Sequence, residues 1–111
     1  MSPEKQRIAI ATACGWTAER VNNGFWRATN QKSGHASEMW LSERNVWSQG
    51  IPDYLNDLNA CHEIEQVLNS EQSHEYYVQL SMKVNRPFIA TAPQRCEAFL
   101  RVMGLWEEEE Q

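Results

Sequence analysis

Apolar residues recur at spacings of three and four across positions 51–68: Tyr54, Leu55, Leu58, Cys61, Ile64 or Glu65, and Leu68. They form one stripe of a helix of period 3.6, with Asn56, Asp57, Asn59 and Glu63 on the opposite side. Pro52 suits a first turn and Asp53 complements the positive end of the dipole, so the pattern predicts a central helix over 51–68. A second helical pattern covers 3–14, with Ser2 as cap, Pro3 in the first turn, and Ile8, Ala11 and either Ile10 or Cys14 facing inward. Gly15 supplies its left-handed stop. The last helix opens on a Thr91 and Gln94 capping box with Pro93 in its first turn. It buries Cys96, Phe99, Leu100 and Met103, and ends at Gly104 with Leu105 as the accompanying apolar contact.

Two other stretches read differently. Positions 71–84 fit a helix through Tyr76 or Tyr77, Leu80 and Val84, and a strand through the alternation of Val78, Leu80, Met82 and Val84. The Asn69 and Gln72 cap favours the helix, which Asn85, Arg86 and Pro87 break before a short extended piece at 88–90. Between Trp16 and Leu41 the period shortens. Asn23-Gly24 is a hairpin signal, pairing 19–22 with 25–29; a second turn at 31–34 leads to a third strand at 36–41. Positions 42–50 read as a polar connection, with Trp47 either folded onto the core or lining a binding surface. The fold class predicted is α+β: a small antiparallel sheet of three strands that needs helices on at least one face.

At 111 residues, 41% hydrophobic and 23% charged, the chain makes one domain over 1–106 with an acidic tail at 107–111. No apolar run approaches the roughly 20 residues that cross a bilayer, and the start MSPEKQR lacks a signal-peptide core, so a cytoplasmic protein without membrane contact is expected. Cys14, Cys61 and Cys96 lack metal-ligand spacing and read as reduced core thiols. The net charge is −5, but four of the 15 acidic residues sit at 107–110, leaving a nearly neutral body. Duplex DNA is therefore not an expected partner.

The motifs Pro52-Asp53-Tyr54, Asp57-Leu58-Asn59-Ala60, His62-Glu63, Ala90-Thr91-Ala92, Gln94-Arg95, Glu97-Ala98 and Gly104-Leu105-Trp106 resemble the phage ABA sandwich domain family of small phage and prophage proteins. The likeness covers about half the chain closely and the N-terminal half loosely. It implies an α/β/α sandwich-like layering, with the sheet packed between helices, and a phage-encoded accessory protein. It carries no catalytic residues. Cys61, where an apolar residue is common, and Pro93 depart from the family pattern without threatening the fold.

Chemistry-bearing patterns are few. Asp53 and Asp57 serve helix ends more readily than a metal, and His62-Glu63 lacks the second histidine of a zinc helix because Gln66 stands there. His35 and His74 read as surface residues. No phosphate-binding or nucleophile motif occurs, so neither catalysis nor a cofactor is expected. Five tryptophans, some beside arginines, are the remaining signal: rings stack on bases and guanidinium forks hold phosphates. The competing reading is that most of these rings fill the core. The expected function is a non-enzymatic, homo-oligomeric anti-defence sponge sequestering a host nucleotide-type immune signal, a cyclic nucleotide or ADP-ribose derivative. Its ligand-binding residues would be Trp26, Arg27, Trp40, Arg44, Trp47 and Arg86. The alternative is an inhibitor docking on a host defence or replication protein through the acidic tail and an exposed helix face. Hydrolysis at Asp57 or His62 ranks last.

Overall fold

Ser2 accepts a hydrogen bond from the Lys5 backbone N–H and starts α1 (Pro3–Ala13), in the computed structural model that describes residues 1–21, 24–84 and 89–108. Ile10, Ala11 and Cys14 turn that helix onto the core, and Gly15, at φ 99°, reverses the chain into β1 (Trp16–Arg20). This strand pairs antiparallel with β2 (Trp26–Asn30), Trp16 opposite Asn30 and Arg20 opposite Trp26. Asn23 of the expected hairpin turn lies outside the described residues, as do Asn85, Pro87 and Phe88 beyond the fourth helix.

Beyond a first strand that lies at Trp16–Arg20 rather than 19–22, the sheet differs from the expectation in two ways. The expected strand at 36–41 contributes only two isolated bridges, Trp26 with Trp40 and Thr29 with Ala36, so the described sheet has two strands. The bridges are out of step by one residue, which interrupts a continuous ladder. The second difference is layering. Thr17 and Glu19 on the outer face are exposed and bonded to Gln31 and Thr29 (3.1 and 2.8 Å), whereas Trp16, Ala28 and Asn30 on the inner face are buried against the helices. Helices thus cover one side of the sheet, not both.

The stretch expected as a loop forms α2 (Glu43–Gln49), capped by Ser42, which accepts from the Asn45 N–H. The central helix is shorter than its apolar stripe: α3 spans Leu58–Val67, and Asp57 caps it. Residues 53–57 instead form a turn in which Asp53 accepts from the Asn56 side chain and the Asp57 N–H, and this turn carries Tyr54 and Leu55 into the core. α4 (Ser70–Lys83) and α5 (Ala92–Val102) both start with complete capping boxes, so 70–83 is helical. α5 packs against α1, α3 and α4, with Cys96, Ala98, Phe99 and Leu100 buried. No helix among the described residues is long and apolar enough to cross a membrane.

The three thiols are reduced and buried, and those of Cys61 and Cys96 both donate to the Tyr54 carbonyl oxygen (3.3 and 3.1 Å). Burial pushes the Cys14 thiol up to about 12; the Cys61 sulfur, then burial, raises Cys96, and burial raises Tyr54 and Tyr76. A folded-state pKa above the unfolded one means stability that is complete below the unfolded value and lost as pH rises through the folded one. Urea midpoints should therefore hold, as far as these groups are concerned, up to about pH 9 and fall progressively toward 12. A midpoint rising across that interval would contradict these burials.

Candidate functional site

Of the described residues singled out for nucleotide binding, Trp26 and Trp40 come together, whereas Arg27 and Arg44 lie elsewhere. Trp26 and Trp40 exchange both backbone hydrogen bonds at 2.8 Å, so their side chains leave the same face of the sheet. Both rings, and that of Trp47 on α2, are half-buried and packed against the core. Arg27 alternates onto the outer face, across from Glu19. Arg44 is 82% exposed and pairs with Glu4 at 3.8 Å, an ion pair of small energetic weight. Arg86 lies outside the described residues.

A tryptophan and an arginine do meet elsewhere. The end of α5 is a glycine-capped turn: Gly104, at φ 73°, donates to the Arg101 carbonyl (3.2 Å) and Leu105 to that of Leu100 (2.8 Å). The reversal brings Trp106 back under its own helix, where the Arg101 guanidinium lies 5.0 Å from the ring centroid. Together with Gln79 and Met82 of α4, Gly104 and Glu108, they line a groove of about 580 Å³.

The surroundings of the groove are apolar and acidic. Met82 is 75% exposed and Val78, one turn back, 40%; Glu71 and Glu75 continue the same stripe of α4 toward its start. Gln79 donates to Glu75 (3.4 Å). The cation in the lining is already engaged, since Arg101 pairs with Glu97 at 3.6 Å and Glu108 at 3.1 Å, and Glu107 pairs with Lys5 at 3.9 Å. The Trp106 indole N–H is shielded from solvent and has no acceptor among the described residues.

The lining of the groove is aromatic, apolar and charged. Among the described residues it offers no nucleophile beside a base, and no three His, Cys, Asp or Glu side chains gather to hold a metal. Gly104-Leu105-Trp106 was the signal available in the sequence, because a glycine stop turns the next residues back onto the helix end. Comparison with family models, with curated proteins and with solved structures finds no match for this chain.

Proposed function

We propose that this chain is a phage-encoded accessory protein that acts by docking on a host protein through the groove between α4 and the end of α5, without catalysis. The occupant that fits is a basic amphipathic segment of the partner. Its apolar side would lie on Met82, Val78 and Trp106, and its lysines or arginines would meet Glu71 and Glu75 and compete with Arg101 and Lys5 for Glu97, Glu107 and Glu108. The observation that carries this reading is the 75% exposed Met82 beside Trp106 in an acid-rimmed groove, since methionine and tryptophan are common anchors of binding surfaces. The family resemblance supplies the origin.

A lysine–leucine amphipathic peptide is the probe. Removing residues 107–111 should lower its association rate several-fold at low salt and leave it nearly unchanged at high salt, as stopped-flow fluorescence would show. An equal rate with and without the tail at low salt would remove the acidic rim from the account. Salt-independent self-association through Met82 would instead identify a second copy of the chain as the occupant.

A second reading, sequestration of a nucleotide-type ligand, draws support from one placement. Arg20 stands opposite Trp26, and Trp26 opposite Trp40, so a cation and two rings share one end of the inner face. It predicts that Arg20→Ala weakens binding of cyclic dinucleotide or ADP-ribose probes while loss of the tail does not.

A further inference from the structure

A separate cleft of about 340 Å³ lies between the end of α1, the turn after β2 and the outer side of α3, lined by Cys14, Asn30, Lys32, Ser33, Glu63 and Gln66, with Val67 at its side. Asn30 organises it. This residue is 3% exposed; its amide nitrogen donates to the Cys14 carbonyl (3.3 Å) and to Glu63 Oε1 (3.4 Å), while its oxygen accepts from the Lys32 and Ser33 N–H groups (2.9 and 3.1 Å). The Glu63 carboxylate is therefore held from the floor of the cleft. The Tyr54 hydroxyl, which accepts from the Trp16 indole at 3.1 Å, lies beside the same carboxylate. From the turn after β2, Lys32 Nζ donates to the Ala13 carbonyl (3.3 Å), which draws the ammonium to the negative end of α1.

Lys32 and Glu63 line the cleft together with Cys14 but do not pair with each other, and among the described residues neither has an ion-pair partner. An anion and a cation that line one small cleft without pairing are complementary to a molecule that carries both charges. We propose that this cleft binds a small, neutral-side-chain α-amino acid as its zwitterion, the ammonium on Glu63 and the carboxylate on Lys32. The side chain lies against Val67 and the Cys14 sulfur. The site is independent of the groove at Trp106.

The test is amide chemical-shift titration of the ¹⁵N-labelled full chain with L-alanine, and with ethylammonium and propionate, each of which carries one of its charges. Saturable shifts at Lys32, Ser33, Glu63 and Gln66 are expected with L-alanine, with affinity at least about tenfold weaker for either single-charge probe because each loses one charge-assisted contact. Lys32→Gln is an exposed change that keeps the fold, and Glu63→Gln keeps an oxygen for Asn30; both variants should lose saturation. No saturable shift with L-alanine, equal affinity for the single-charge probes, or binding undiminished in both variants would overturn the proposal.

Discussion

Replacing Phe99 by alanine is expected to lower the unfolding free energy by about 3–5 kcal/mol, the cost of removing a fully buried aromatic ring and leaving a cavity. The size of the effect follows from where α5 sits. It packs against α1, α3 and α4, and its buried stripe continues into the Tyr54 turn through the Cys96 thiol. Because a domain of this size has only about 5–15 kcal/mol of net stability, the variant should be largely unfolded well below the denaturant midpoint of the parent. Urea denaturation followed by tryptophan fluorescence measures it. A loss under about 0.5 kcal/mol, the range of ordinary surface changes, would mean that α5 is not the centre of the core.

The second large effect is on binding. Met82→Gln puts a neutral polar group on an exposed position, so stability should change by no more than about 0.5 kcal/mol. Affinity for the lysine–leucine peptide should nonetheless fall about tenfold or more, or 1.4 kcal/mol, because the apolar anchor is lost from the centre of the groove. Fluorescence anisotropy of labelled peptide reads this directly. Arg44→Ala is the matched control: it touches Glu4 rather than the groove and should leave peptide affinity unchanged. The opposite pattern, in which Arg44 matters and Met82 does not, would move the working surface to the N-terminal half.

Helix ends were the most legible feature of the sequence, because their signals are local. Ser2, the Asn69 and Gln72 pair, and the Thr91 and Gln94 pair act on backbone groups within one turn, so reading them needs no knowledge of the rest of the fold. The start of α3 misled for the same reason. Pro52 and Asp53 satisfy the rules of a first turn, but the side chain of Asp57 caps the Asn59 N–H at 2.9 Å and the chain before it bends to bury both Tyr54 and Leu55. α2 escaped notice because seven residues are too few for a period to emerge, although the Ser42 cap was readable. The segment 36–41 alternates as a strand should, yet a shift of register between its two bridges stops the ladder, and alternation does not show where such a shift falls.

The groove was illegible for a different reason. Met82 appeared as one member of an ambiguous alternation, and its exposure depends on what the other helices leave uncovered. Arg101 and Trp106 are five residues apart, and only the left-handed Gly104 turn brings guanidinium and ring together. Trp26 and Arg27 are neighbours in the sequence, but adjacent residues of a strand point to opposite faces.

The most direct test of the docking surface is a map of amide chemical-shift changes on titrating the full chain with the lysine–leucine peptide at low salt. The account predicts saturable changes concentrated at 78–82 and 101–108, with little at 26, 40, 44 and 47. Saturable changes centred on Trp26 and Trp40, or no saturable change with the basic peptide, would contradict it.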